Sequence, residues 1–263
     1  MDAATPGSPA PDLAERLAAA RREVRQIAEL PDGLVPKTAE DGYEIATGVA
    51  ARLGWETLGW KIAGTTAAVR EKLRINEPIY GRTYRQFAES SPAVLTHGDL
   101  LDPLVECEFF VTLSDDMPPR PDPWTMDDVR AAIGAVHAGI EVAECRFPNT
   151  ALPPLPAILA DGAASGRYIH GGSLASWENG LADVEVTLEV DGRERRSGRG
   201  RDVMGDPIAP LHWLAERLRR LGTGLEAGEM ISTGSCTGMM PVKRGETIVA
   251  RYGDAAQVEI RFE

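Results

Sequence analysis

The sequence predicts an α+β protein: a β-rich mixed fold with an N-terminal helical appendage. Two capped amphipathic patterns fill the first 54 residues, and from Trp55 onward short strand-like runs separated by Gly and Pro dominate. Only three further helices interrupt those runs, so the regular alternation of a parallel βαβ sheet is missing. At 263 residues and 43% hydrophobic, the chain has enough apolar bulk for one large domain.

Residues 1–11 are mostly Ala, Pro, Ser and Gly, too little apolar surface to offset the entropy of ordering, and are expected to form a disordered tail. Helix one is expected from Asp12, with Glu15 completing a capping box and Leu13, Leu17, Val24 and Ile27 forming a stripe up to Pro31. Helix two follows from Thr38 and Asp41, with Tyr43, Ile45, Ala46, Val49 and Leu53 behind them and Gly54 as the stop. Residues 12–54 thus form a helical region and 55–263 the main domain. The later helices begin near Thr65, Thr125 and Asp206; the last has Asp206 as cap, Pro207 at the first helical position and Leu211, Leu214 and Leu218 as its stripe, with Gly222 past its end. Val184–Val190 alternates apolar and polar residues before Asp191-Gly192, a strong hairpin signal. Further strands are expected at 105–113, 139–146, 157–161, 167–170, 229–233, 246–252 and 256–262, and Pro78–Gly81 reads as a turn.

Forty acidic against 28 basic side chains give a net charge of -12, which argues against a nucleic-acid partner. The one basic cluster, Arg193, Arg195, Arg196, Arg199 and Arg201, is broken by Gly198 and Gly200 and reads as a solvated hairpin rim. No apolar run approaches a membrane span and no signal core opens the chain, so a cytoplasmic protein without membrane contact is expected. Cys107, Cys145 and Cys236 form no CxxC pair and are expected to be reduced, mostly buried thiols, with no disulfide framework and no structural zinc.

The most informative segment is Val105–Val111, where Glu106 and Glu108 interrupt an apolar strand. Period-two geometry puts both carboxylates on one face, about 6 to 7 Å apart. In a semi-buried site they would repel unless a cation lay between them; on a wet edge they would simply be solvated. The run 139–146 carries Glu141 and Glu144 on opposite faces, so one of them can join the pair. If Glu141 does, three carboxylates and waters make an all-oxygen site suited to Mg²⁺ or Mn²⁺. Lys61, where a strand meets a helix in Gly59–Thr66, could hold a substrate carboxylate or transfer a proton, or could be a surface lysine. Gly-Ser-Cys-Thr-Gly at 234–238 imitates a nucleophile elbow, but Met239–Val242 lead into a strand where that motif needs a helix, which excludes a cysteine hydrolase. His97, His137, His170 and His212 are scattered and read as structural.

Together these pieces resemble the fumarylacetoacetate hydrolase superfamily, in its 2-keto-4-pentenoate hydratase and 4-oxalocrotonate decarboxylase branch. The resemblance covers roughly residues 55–263, and the two N-terminal helices fit that branch as well. It is carried by Trp60-Lys61-Ile62, Pro78–Gly81, Glu106-x-Glu108, Ile140-Glu141-Val142 with Arg146, Ala160-Asp161, Gly205 with Pro207, Trp213-Leu214-Ala215, Thr233-Gly234 and the closing strand pair. It implies a mixed β-sandwich roll like that family's C-terminal domain, with Glu106, Glu108 and Glu141 holding Mg²⁺ or Mn²⁺. Lys61 would be the catalytic group, with Lys61, Ile62, Tyr80, Asp161, Ser165 and Thr233 contacting substrate. The implied activity is hydration of a 2-hydroxy-2,4-dienoate to a 4-hydroxy-2-oxo acid in aromatic-compound catabolism. The alternatives are decarboxylation of a 2-oxo-3-enedioate and a non-catalytic partner subunit of the same fold. The C–C bond hydrolases of the superfamily use a His and Glu pair ahead of the metal motif, and no histidine precedes His97 here. Ala63, Cys145, Gly162 and Ala164 depart from the family pattern near where substrate would be read. The expected partners are a small 2-oxo acid and further copies in a homo-oligomer, or a related decarboxylase or hydratase.

Overall fold

The computed structural model describes residues 9–175 and 177–263. It opens with α1 (Pro9–Arg22), which begins ahead of Asp12, because prolines are tolerated in a first turn whose N–H groups need no partner. Residues 1–8 of the expected tail lie outside the described residues. The helix stops at Arg22, before Val24 turns the chain at φ +48°, so Val24 is exposed and Ile27 is buried from a non-helical segment whose N–H bonds to the carbonyl of Arg146. In α2 (Ala39–Leu53) the Thr38 hydroxyl accepts from the Asp41 N–H while the Asp41 carboxylate accepts from the Thr38 N–H, and Gly54 closes the helix at φ +59°.

Next come β1 (Thr57–Ala63), α3 (Ala67–Leu73), β2 (Ile79–Tyr84), β3 (Ala88–Ser90), β4 (Ala93–Leu95), β5 (Leu104–Leu113), α4 (Met126–Ala131) and β6 (Ile133–Ala143). They are followed by α5 (Leu155–Ala160), β7 (Arg167–Ser173), β8 (Glu185–Val190), β9 (Arg193–Arg199), α6 (Ala209–Arg220), β10 (Met230–Ser235), β11 (Met240–Pro241), β12 (Thr247–Tyr252) and β13 (Ala256–Phe262). Three expectations are corrected. Residues 155–160 form a helix where a strand was expected at 157–161, since a short apolar run has no period that separates the two. Pro78–Gly81 runs into β2, an edge strand whose border tolerates the proline. Finally, α6 starts at Ala209, and the Asp206 carboxylate caps the preceding turn by accepting from the Ile208 N–H at 2.8 Å.

One sheet runs β2-β1-β10-β5-β6-β7-β3, with β11 on β5, and the other β4-β13-β12-β8-β9. Both are mixed, with β1/β10, β3/β7 and β4/β13 parallel and the rest antiparallel. The two sheets share one apolar core, to which Phe109, Val111 and Ile140 contribute from the first and Val186, Leu188, Ile248 and Ile260 from the second. Asp191 and Gly192, at φ +50° and +73°, make the β8–β9 hairpin, and the arginines on β9 are solvated as expected. All three cysteines are free and buried. The N-terminal helices pack onto the body: Leu13, Leu17, Ile45 and Val49 share a buried cluster with Tyr84, Cys145, Phe147 and Ala157. Among the described residues no helix is long and apolar enough to cross a membrane.

Candidate active site

Antiparallel pairing of β5 with β6 sets Glu106 directly opposite Glu141 and Glu108 opposite Gly139. With the period of two along β5, this register gathers three carboxylates on one face of adjacent strands. Their oxygens lie within 4.8 Å of one another, and the residues are 5%, 1% and 0% exposed. From β1, separated from β5 by β10, Lys61 brings its Nζ to 2.9 Å from Glu141 Oε1 and donates to the carbonyl of Ala163 at 3.1 Å.

Three carboxylates against one ammonium leave two negative charges uncompensated if all ionise, and the acids respond as buried like charges must. Burial, then the charge of Glu141, pushes Glu106 up to about 7. Glu108 is raised well above the usual range by burial, Glu141 and Glu106. Glu141 is raised by burial, with Lys61 and Tyr168 opposing. Burial pulls the Lys61 ammonium down, but the three carboxylates together outweigh it and hold it above its usual value.

A divalent cation fits this site. Apart from the Lys61 ammonium at Oε1, the buried Glu141 carboxylate has no well-formed hydrogen bond, an expensive condition for a protein interior. The set is purely carboxylate, without sulfur or imidazole, which selects a hard ion such as Mg²⁺ or Mn²⁺. Around it the second carboxylate is fixed: Glu108 Oε2 accepts from the Ser232 hydroxyl and from the Gly234 N–H at 2.8 Å. Gly234 sits at φ +108°, and a Cβ there would lie 2.4 Å from Thr65 Oγ1, so only glycine delivers that N–H. Across the sandwich the Tyr252 hydroxyl lies 2.8 Å from the Glu108 carbonyl oxygen and 2.6 Å from that of Gly139, tying the second sheet to the carboxylate strands.

The other expected substrate contacts divide. Ile62 and Tyr80, paired across β1 and β2, alternate with Lys61 and Gly81 and so face away from the carboxylates. Ile62 is core, and Tyr80 stacks on Tyr43 at 4.2 Å beside a cavity of about 710 Å³ between α2 and the end of α6. The arginines of that cavity are paired, Arg82 with Glu229 and Arg217 with Glu40. Thr233 turns its hydroxyl to the carbonyl of Phe109 at 3.0 Å. Ser165 reaches the site indirectly: its hydroxyl is 2.9 Å from that of Tyr168, which is paired across the sheet with Glu141. The Asp161 carboxylate is taken up by Arg146, through its backbone N–H and its Nε at 2.9 Å, and by Arg21 at 3.3 Å. Past the end of β6, Glu144 accepts from the Leu101 N–H and stays out of the cluster.

Sequence reasoning missed Ser232, Gly234, Tyr168 and Tyr252. The first had a signal, because alternation along β10 sends Ser232 and Thr233 to opposite faces and only one of them can meet Glu108. Residues 161–165 form an unusual loop, with Gly162, Ala163 and Ala164 at φ +73°, +55° and +60°. For each alanine this left-handed backbone costs about 1–2 kcal/mol. At Gly81 a Cβ would lie 2.1 Å from the Gly162 carbonyl oxygen, so the loop rests backbone to backbone on β2.

Residues 64–262 match the family described as fumarylacetoacetate (FAA) hydrolase C-terminal. A 4-oxalocrotonate decarboxylase of Pseudomonas putida is 30% identical over 255 residues, covering 95% of each chain. A 2-keto-4-pentenoate hydratase of Burkholderia vietnamiensis is 28% identical over 254 residues, covering 95% of this chain and 96% of the relative. Among solved structures, 4-oxalocrotonate decarboxylase from Pseudomonas putida G7, complexed with magnesium and adipate, superposes with a TM-score of 0.89 at 27% identity over the full length of both chains. A family match spanning most of the chain, together with relatives aligned nearly end to end, means that this protein belongs to the fumarylacetoacetate hydrolase family.

Proposed function

We propose that this protein is a divalent-metal-dependent hydratase that adds water to a 2-hydroxy-2,4-dienoate of the 2-keto-4-pentenoate type, giving a 4-hydroxy-2-oxo acid. The observation that carries the proposal is the buried Glu106, Glu108 and Glu141 cluster with Lys61 against it. The three glutamates would hold Mg²⁺ or Mn²⁺, which when bound supplies a Lewis acid for the carboxylate and 2-oxo oxygens of the substrate. The neighbour with bound magnesium supports this metal class.

The chain's own residues supply the rest. Lys61, held by Ala163, neutralises the substrate carboxylate or relays the proton that converts the dienol to its 2-oxo-3-enoate tautomer. Water then adds at the β-carbon of the conjugated ketone and a proton returns to the α-carbon. Burial of the carboxylates keeps bulk water from competing for these charges. We assign this chemistry to residues 55–263, with 12–54 supporting them, in a cytoplasmic homo-oligomer whose partner is the small 2-oxo acid. Association with a related decarboxylase or hydratase belongs to the same proposal. Among the side chains, Lys61, Asp161, Ser165 and Thr233 are proposed to bind substrate or order its surroundings, with Ile62 and Tyr80 acting from behind Lys61.

A second reading, decarboxylation of a 2-oxo-3-enedioate, is favoured by the full-length likeness to the decarboxylase and by that structure's bound adipate, a dicarboxylate. The deciding experiment follows the ultraviolet absorbance of freshly made 2-hydroxypenta-2,4-dienoate with and without Mg²⁺ or Mn²⁺, identifies the product by mass, and measures CO₂ release from 2-oxo-3-hexenedioate in parallel. A metal-dependent water adduct is expected. Release of CO₂ alone replaces the first reading with the second, and metal binding without turnover on either acid points to a shifted substrate or a non-catalytic subunit.

A further inference from the structure

We propose that Arg21, from the N-terminal helix α1, is a positioning residue for Lys61 that acts by clamping the 161–165 loop. The inference rests on the lyase reading above, in which Lys61 meets substrate. Lys61 Nζ donates to the carbonyl of Ala163, the middle residue of three successive left-handed ones. Two of those residues are alanines, so the loop keeps this shape only if its surroundings impose it.

Guanidinium groups grip both of its ends. Arg21 donates to the backbone carbonyl of Asp161 and to that of Ser165 at 3.4 Å, and pairs with the Asp161 carboxylate at 3.3 Å. Arg146 holds the same carboxylate through Nε at 2.9 Å and the Ser165 carbonyl at 2.8 Å. It follows β6 directly, so the chain that carries Glu141 also carries the first clamp. Arg21 comes from an element far away in sequence. Arg146 alone would neutralise Asp161, and Arg21 (7% exposed) and Arg146 (5%) on one carboxylate leave a positive charge in the interior. Burial and the neighbouring Arg146 lower the Arg21 pKa accordingly. What the second cation adds is a bond to the Asp161 carbonyl, so that one side chain spans both carbonyls bracketing Gly162, Ala163 and Ala164. A planar guanidinium reaches both, whereas the single ammonium of a lysine does not.

The test compares Arg21→Ala and Arg21→Lys with the wild-type full chain by hydrogen exchange of the 158–168 segment, Mn²⁺ affinity and turnover. In Arg21→Ala the amides of Gly162 and Ala163, which bond back to the Leu159 and Ile158 carbonyls of α5, and of Ser165, which bonds to the Gly162 carbonyl, are expected to exchange at least tenfold faster. The kcat should fall at least tenfold while the Mn²⁺ Kd stays within threefold, because the three glutamates are untouched. Added guanidinium ion should restore part of the lost kcat. Arg21→Lys keeps a cation beside Asp161, so it should stay folded yet still lose kcat; it carries the test alone if Arg21→Ala does not fold. Unchanged loop exchange or unchanged kcat in a folded Arg21 variant overturns the proposal. A wild-type protein that binds Mn²⁺ but turns over neither acid overturns the lyase reading instead, and loop exchange still decides the clamp.

Discussion

Lys61 and Glu141 are each other's nearest charge, at 1% and 0% side-chain exposure, so neither can be removed quietly. Glu141→Ala takes the closest counter-ion from a buried ammonium, but it also removes one of three mutually repelling carboxylates, so the loss should stay below the roughly 3–5 kcal/mol of a buried pair broken outright. Urea denaturation of the metal-free variant should show that smaller loss, and a loss of the full ~3–5 kcal/mol would mean that Glu106 and Glu108 do not compensate Lys61. Glu141→Gln keeps the shape and loses the charge; it should retain most of the stability while weakening Mn²⁺ binding at least about a hundredfold, roughly 2.7 kcal/mol. Glu106 is pushed up to about 7, so below that pH a proton occupies an oxygen the cation needs. Calorimetric titration from pH 8 to pH 6 should show the affinity falling as pH falls, approaching about tenfold per unit per proton displaced; a flat profile would take Glu106 out of the ligand set. These carboxylates were legible because strand alternation and a plausible third acid suffice to gather them. Ile62 and Tyr80 came in through family resemblance, and the same alternation that unites Glu106 with Glu108 sends those two side chains away from Lys61.

Among the elements, β10 contributes a backbone N–H as well as side chains. It pairs regularly with β5 up to Ser232, shifts register before Ser235, and in that interval Gly234 turns its N–H to Glu108. Gly234→Ala must push its Cβ past Thr65 at an unfavourable φ, and about 1–3 kcal/mol of stability should be lost. Metal affinity should fall with it, since Glu108 loses a charge-assisted bond; Gly234→Ala with wild-type Mn²⁺ affinity would show that the N–H does not orient the ligand. Elements were legible where their ends carry chemistry. Thr38 with Asp41 and Asp191-Gly192 announce themselves by a side-chain bond or a required backbone angle, and the start read near Thr125 has its hydroxyl accepting from the Asp128 N–H. They were obscure where tertiary packing decides. Residues 155–160 carry no period, and their helix is selected because α2 packs against them. Helix α1 likewise ends at Arg22 although the apolar spacing continues, because the following segment leaves the helix path to bond to Arg146.

At the scale of the whole molecule, the site conflicts with the fold that contains it until a cation arrives. In the unfolded chain Glu106 titrates near 4.5, and in the folded chain near 7, with Glu108 and Glu141 also raised. Between those values the folded state binds more protons than the unfolded state, so the stability of the metal-free protein should fall as pH rises from about 4.5 to about 7. Paired surface acids have depressed pKa values and would give the opposite slope. A cation that binds only the folded, ionised site reverses the deficit, and at a free concentration one hundred times its Kd it stabilises by about 2.7 kcal/mol. For a chain of this size that corresponds to a rise in Tm of roughly 5–10 °C. Thermal unfolding with and without Mn²⁺ should therefore show a gap that is wide at pH 8 and closes near pH 5, where protons do the work of the metal. A gap equally wide at both pH values would locate Mn²⁺ binding elsewhere on the surface, and no gap at pH 8 would show that the glutamate cluster does not bind Mn²⁺.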